Sequence, residues 1–266
     1  MADIRNTALV VVPIPAFSDN YIWLIGGMGD PKQVAVIDPG DANPVLEFLN
    51  MHDLSLQAIL ITHHHPDHVG GVAQLKQKFD VPIYGPAKEN ISHCTNPLDG
   101  GDHVQLDTLN LSFKVINTPG HTAGHIAYIG HQLLFCGDTL FSAGCGRLFE
   151  GTPQQLYHSL VKLAELPGDT RTYCTHEYTE ANLRFARTVL PNDQALIDYE
   201  KVVQQLRANN RPTLPTTVEL ERRINPFLRC HTAAVRQSVE QHLGHSIATE
   251  LDVFAALRQW KDGFSG

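Results

Sequence analysis

No stretch of this 266-residue chain approaches the roughly 18 consecutive apolar residues that a membrane-spanning helix needs, so no transmembrane segment is expected. The N-terminus lacks a leader pattern as well. Met1-Ala2-Asp3-Ile4-Arg5 places an acid early, and the brief apolar run from Ala8 to Val12 stops at Pro13. That run reads as a strand and not as a signal peptide. Cysteine is sparse: Cys94, Cys136, Cys145, Cys174 and Cys230 are odd in number and form no CxxC pair. A disulfide framework is therefore not expected, and a reducing cytoplasm is the expected compartment. Each cysteine reads as a small buried hydrophobe. Basic charge is short too. Against 28 acidic residues stand 20 Lys and Arg, a net charge of −8, which argues against nucleic-acid or anionic-membrane partners. There is no internal repeat and no low-complexity segment.

What is present is an ordinary globular composition, 42% hydrophobic and 18% charged, long enough for one large domain plus an appendage. The first two-thirds alternate short apolar runs with turn residues. Tyr21 to Ile25, Val34 to Ile37, Ala58 to Ile61, Val81 to Tyr84, Leu109 to Val115, Ile126 to Ile129, Gln132 to Cys136 and Thr170 to Cys174 are expected as strands, with a hairpin turn at Gly130-His131. Helices are expected over Val45 to Leu49, Val72 to Phe79 and Gln154 to Glu165, the last capped by Thr152 with Pro153 at its first position. From Glu180 onward no strand is expected. Helical patterns run over Glu180 to Leu190, Gln194 to Asn209, Val218 to Arg223, Thr232 to Leu243 and Leu251 to Lys261. The reading is a mixed α and β domain over 1–176 followed by an all-helical domain over 177–266.

The 15 histidines are many for this length, and they are unevenly spread. Thr62-His63-His64-His65-Pro66-Asp67-His68 follows directly on an expected strand. In extended chain, residues two apart point the same way, so His63 and His65 converge while His64 points elsewhere. Asp67 and His68, past the bend at Pro66, face a second ion more naturally than the first. Three further segments repeat the pattern of strand end, turn and ligand: Pro119-Gly120-His121-Thr122, Cys136-Gly137-Asp138-Thr139 and Cys174-Thr175-His176-Glu177. Together they supply five histidines and two aspartates, one short of two four-coordinate shells. A bridging carboxylate would close the gap and leave room for a water or hydroxide. His64 and His125 read as residues that orient ligands. His52, His93, His103, His131, His158, His231, His242 and His245 read as surface residues.

These residues match a known pattern. The stretch from Thr62 to His68 resembles the Thr-His-x-His-x-Asp-His signature of the metallo-β-lactamase superfamily. Gly120-His121-Thr122, Gly137-Asp138-Thr139 and Thr175-His176-Glu177 are similar to its later ligand motifs, and Val36-Ile37-Asp38-Pro39-Gly40 to its first. Within the superfamily the chain resembles the glyoxalase II (hydroxyacylglutathione hydrolase) family. Ser18-Asp19-Asn20-Tyr21-Ile22-Trp23, Gly137 to Phe141, Gly144-Cys145-Gly146-Arg147, Cys174 to Thr179 and Asn225-Pro226-Phe227-Leu228-Arg229 carry that narrower match, which runs essentially end to end.

The resemblance implies a four-layer αββα sandwich with a helical C-terminal domain. It implies two divalent ions, zinc first and iron or manganese as alternatives. His63, His65 and His121 would hold one, Asp67, His68 and His176 the other, with Asp138 bridging and Asp38 behind the ligands. It further implies that glutathione is gripped by Arg147, Tyr178, Arg258 and Lys261. Phe149 stands where some relatives place a tyrosine. The implied reaction is hydrolysis of an S-(2-hydroxyacyl)glutathione, S-D-lactoylglutathione above all, in the second step of methylglyoxal detoxification. The nucleophile would be a hydroxide held between the ions at Asp67, His68 and Asp138, since paired divalent ions bring the pKa of bound water to about 7. A thiolate leaving group with a pKa of about 8.5 needs no strong general acid. A monomer is expected. The rivals are a persulfide dioxygenase, which lacks the long helical extension; another hydrolase of this fold; and a metal-stabilised binding module without turnover. A β-lactamase would have a cysteine ligand, a nuclease a basic surface, and a purely structural zinc site more sulfur.

Overall fold

The computed structural model describes residues 9–265, so Ala8 of the first expected strand lies outside the described residues. They form two compact units. The first takes the described residues up to Asn117 together with Gly124–Gly137. The second takes Thr118–Ala123 and the described residues from Asp138 onward.

In the first unit, six strands form one mixed sheet in chain order: β1 (Val10–Ala16), β2 (Asn20–Gly26), β3 (Gln33–Ile37), β4 (Ser55–Leu60), β5 (Ile83–Pro86) and β6 (Asn96–Leu98). β1, β2 and β3 are antiparallel, whereas β3 to β6 run parallel. Parallel neighbours need a crossover. Helix α1 (Ala42–His52) makes the one from β3 to β4, and α2 (Pro66–Val69) with α3 (Val72–Lys78) the one from β4 to β5. α1 is longer than its apolar run suggests because the Asp41 carboxylate caps it, accepting from Asn43 N–H.

Alternation of side chains gives the sheet two apolar faces. Leu24, Val34, Val36, Ile59 and Ile61 pack with Val45 and Leu49 of α1 and Val72 and Leu75 of α3. Trp23, Ile25, Ala35, Ile37 and Leu60 are equally buried, and alternation puts them on the other face. Each large apolar side chain so buried contributes about 1.5–3 kcal/mol. An antiparallel meander follows: β7 (His103–Leu106), β8 (Leu111–Asn117), β9 (Ile126–Gly130) and β10 (Leu133–Gly137). Tyr128 of β9 is fully buried, and its hydroxyl donates to Ile61 O at 2.7 Å, tying the meander to the end of β4.

Several expectations shift by a few residues. The strand expected from Leu109 begins at Leu111, because Asp107–Leu109 form a 3-10 turn and Asn110 takes a left-handed φ of 52°. The turn between β9 and β10 is His131-Gln132, both at positive φ, with Gly130 paired to Leu133.

The second unit opens its regular structure with a small hairpin, β11 (Leu140–Phe141) and β12 (Gly144–Cys145). Helix α4 (Pro153–Ala164) has a reciprocal capping box between Thr152 and Gln155. β13 (Arg171–Cys174) pairs with β14 (Thr216–Thr217), a two-residue strand inside the region expected to be wholly helical. The remaining elements are α5 (Thr179–Val189), α6 (Gln194–Ala208), α7 (Val218–Ile224), α8 (Ala233–Leu243) and α9 (Glu250–Asp262), with Asp193, Thr217, Thr232 and Thr249 as N-caps of the last four. Phe227 stacks on Phe185 and meets Phe254 edge-on in their core. No helix among the described residues is long and apolar enough to cross a membrane.

Candidate metal centre

In the first unit the donor stretch begins at Thr62, two residues past the end of β4. The register pairs Ile37 with Leu60, so the chain leaving β3 at Asp38 runs beside the chain leaving β4 at Ile61. Ligand sites of parallel sheets gather at such carboxyl ends. Asp38, at a left-handed φ of 53°, accepts from Thr62 N–H and from the Thr62 hydroxyl, both at 2.7 Å. Its Oδ2 also lies 3.1 Å from His68 Nδ1. A carboxylate on one imidazole nitrogen fixes the tautomer and presents the other as a lone pair, here Nε2 of His68.

His63 and His65 do converge, with His63 Nε2 and His65 Nδ1 3.0 Å apart. His64 turns away and meets Glu89 at 3.0 Å. Glu89 also accepts from Gly124 N–H. His125 is fully buried and stacks on the His63 ring at 4.8 Å. Asp67 sits in the first turn of α2, where Asn20 Nδ2 donates to its Oδ2 at 3.0 Å. Gly40 lets the chain pass this close, since a Cβ there would stand 1.8 Å from Asp67 O. The Asn20 contact has no signal beyond its place in the Ser18 to Trp23 motif. No spacing links positions 47 residues apart.

In the second unit three donors meet. Asp138 Oδ2 lies 3.5 Å from His121 Nε2 and 3.3 Å from His176 Nε2. His121 Nδ1 donates to Arg147 O at 2.8 Å, which leaves Nε2 as its lone pair, the nitrogen facing Asp138. His176 is held in part by aromatic packing. Tyr178 stacks on it at 4.6 Å and 6°, and Phe141 meets it edge-on.

Two of the three donors open onto a cavity of about 460 Å³, within the roughly 300–1,000 Å³ of small-ligand sites. His121 and Asp138 lie in its lining, and so do Arg147, Tyr178, Arg258 and Lys261. Arg147 is exposed, lies over the Phe149 ring and pairs with Asp262 at 3.5 Å. Phe149 is itself exposed and meets the His121 ring edge-on. Arg258 is different: only 3% exposed, it donates from Nη1 to Cys145 O and Gly146 O and from Nη2 to Asp262. Lys261 donates to Ala181 O and lies over the rings of Phe185 and Phe264. Burial, with help from Arg258 and Arg184, pulls its ammonium down to about 8. Cys145, also in the lining, is pushed up by burial to about 11, so its thiol is a poor nucleophile. Of the eight histidines read as surface residues, seven are exposed and His52 is half-buried.

Five imidazoles and two carboxylates, with no thiolate among them, suit divalent zinc, iron or manganese. Comparison with known proteins agrees with that character. Residues 17–176 match the metallo-β-lactamase superfamily and residues 177–264 the hydroxyacylglutathione hydrolase C-terminus. The chain is similar to the hydroxyacylglutathione hydrolase of Nitrosomonas eutropha, 50% identical with 96% of this chain and 98% of that one covered. It is 52% identical to the one from Aliivibrio salmonicida, covering 96% and 100%. Among solved structures, ETHE1 from Myxococcus xanthus superposes with a TM-score of 0.65 at 26% identity, covering 95% of this chain and 90% of that one. TTHA1623, solved in a di-iron-bound form, gives 0.57 at 27% identity, covering 82% and 100%. The fold is that of the metallo-β-lactamases, with two mixed sheets and a helical C-terminal domain. The chain therefore belongs to the hydroxyacylglutathione hydrolase family of the metallo-β-lactamase superfamily.

Proposed function

We propose that this thioester hydrolase acts on S-D-lactoylglutathione, releasing glutathione and D-lactate, in a reducing cytoplasm and as a monomer. The observation that carries the reading is one cavity lined both by His and Asp donors and by Arg147, Lys261 and Tyr178. Two divalent ions, zinc first, would be held by His63, His65 and His121 and by Asp67, His68 and His176, with Asp138 shared. The position of Asp138 Oδ2 between two imidazole nitrogens supports the shared role. When bound, such ions make water acidic near neutral pH and polarise a carbonyl.

The protein's own residues supply the rest. Asp38 orients His68, and the Arg147 carbonyl orients His121. Arg147 and Lys261 meet the carboxylates of glutathione, with Tyr178 in the same cavity wall, stacked on His176. Arg258, committed to backbone carbonyls, adds charge and holds the 145–146 turn. The departing glutathione thiolate, with a pKa of about 8.5, leaves without a strong acid. Cys145, buried and protonated, takes no covalent part. On this reading residues 177–266 form the substrate-binding domain.

The test is thioester hydrolysis by purified protein with its metal content measured. Cleavage of S-D-lactoylglutathione in step with bound metal is expected. Full activity with less than about one ion per chain, or oxygen uptake on glutathione persulfide without thioester cleavage, would overturn it.

A further inference from the structure

The motif Asn225-Pro226-Phe227 has no place in the chemistry above, yet it lies against the centre of the second unit. Its partner is the hairpin of β11 and β12. That hairpin starts two residues after Asp138 and ends two residues before Arg147. All three donors of the second unit lie on or beside it. Asp138 leads into it, His121 donates to the Arg147 carbonyl that follows it, and His176 packs on Phe141 within it. Gly146 presses on Asp138 so closely that a Cβ would stand 2.0 Å from Asp138 O.

The hairpin is too short to hold itself, with only two residue pairs. Its turn includes Ala143 at a left-handed φ of 55°, a conformation disfavoured for any residue with a Cβ. Its polar groups are satisfied from outside. Asn225 Nδ2 donates to Phe141 O at 3.1 Å and Gly144 O at 2.9 Å. The fully buried Glu221 accepts from Ala143 N–H at 2.8 Å, from Ser142 at 3.0 Å, from Thr216 at 2.7 Å and from Asn225 at 3.0 Å. Asn182 Nδ2 donates to Ser142 O at 3.1 Å. Phe227 lies under Arg258, which clasps Cys145 O and Gly146 O at the far end.

We propose that Asn225 and Glu221 are positioning residues for the hydrolysis, setting through this hairpin the placement of Asp138 and of Arg147 at once. A buried clasp of this kind ties the thioester carbonyl's site to the glutathione anchor, so that one displacement disturbs both. The inference rests on the roles given above to Asp138 and Arg147.

The chemistry predicts an asymmetry. Glu221 Oε2 faces two obligate donors, Ala143 N–H and Asn225 Nδ2, whereas Oε1 faces two hydroxyls that are able to turn and accept. A glutamine therefore fits with its oxygen toward the former and its amide toward the latter. In the full-length, metal-loaded protein, Asn225→Ala is expected to lower kcat/KM by about 10–100-fold, as a displacement of about 1 Å does, and to weaken glutathione binding in calorimetry. Glu221→Gln should stay within about threefold of the parent, and Glu221→Ala should resemble Asn225→Ala. Should Asn225→Ala fail to fold, Asn182→Ala offers a milder cut at the same turn, with a smaller loss in the same two readouts expected. A lower melting temperature with unchanged kcat, KM and glutathione affinity in the folded variants would reduce the clasp to a structural feature and overturn the proposal. Glu221→Gln as damaged as Glu221→Ala would overturn it too. Activity retained in Asp138→Ala would instead defeat the metal reading on which it rests.

Discussion

The seven donors fall into two groups built on different principles. In the first unit, His63, His65, Asp67 and His68 come from a single six-residue span at the end of one strand and the start of one short helix. Backbone geometry alone brings His63 and His65 together, and one carboxylate, Asp38, sets His68. In the second unit, His121, Asp138 and His176 come from three loops far apart in sequence, and their convergence depends on a hairpin clasped by residues up to Asn225 and Arg258. A local cluster needs little scaffolding because the chain supplies its own proximity. A dispersed one must be assembled, and each supporting contact becomes a place where it fails.

That contrast has an ordering of consequences. Asp138→Ala removes the donor shared by two histidines, and is expected to cut kcat by about 10³-fold or more and to lower bound metal, measured by elemental analysis beside the rate. Near-normal turnover with full metal would show that the dispersed group is not the critical one. Next come the supports of the local group. Asp38→Ala and Asn20→Ala should each cost about 10–100-fold in metal affinity, read by chelator competition. Losses in Asn20→Ala below about twofold would mean that the local group needs even less help than its geometry suggests.

Lys261 gives a smaller, pH-dependent effect in the second unit. Its ammonium, lowered to about 8, is charged below that pH and neutral above it. Because the charged form binds carboxylate, KM should rise as pH passes upward through about 8 while kcat stays level. The groups around it are Arg258 and Arg184, which oppose its charge, and Asp262 and Cys145, which favour it. Lys261→Met should show a higher KM throughout and no such rise. A flat KM in the parent would remove Lys261 from substrate binding. The smallest expected change is Phe149→Tyr. A hydroxyl regained at the cavity wall should lower KM by at most a few-fold, the worth of one exposed hydrogen bond, and a rise in KM would mean that the bare ring is itself the contact.

Legibility in the sequence follows the same division. The apolar strand leading toward His63, the convergence of His63 and His65 two residues apart, and the N-cap Thr152 with Pro153 after it are local statements, and the structure bears them out. The hairpin of β11 and β12 was not legible, since its strands of two residues carry no periodicity. Nor was the burial of Glu221, a residue that reads on any helix as solvated charge until four donors surround it. Arg258, which resemblance named as a substrate contact, lies in the cavity lining, but its hydrogen bonds to Cys145 O, Gly146 O and Asp262 carry no sequence signal.

By itself the sequence determined most of the longer strands and helices and the nearness of His63 to His65, because these follow from side-chain alternation and helix capping over a few residues. Only the tertiary structure decided which carboxylate orients which imidazole, what supports Asp138 and which cations stand open to the cavity. Those depend on contacts between residues tens of positions apart, and no local pattern encodes a hydrogen bond from Asn225 to Phe141.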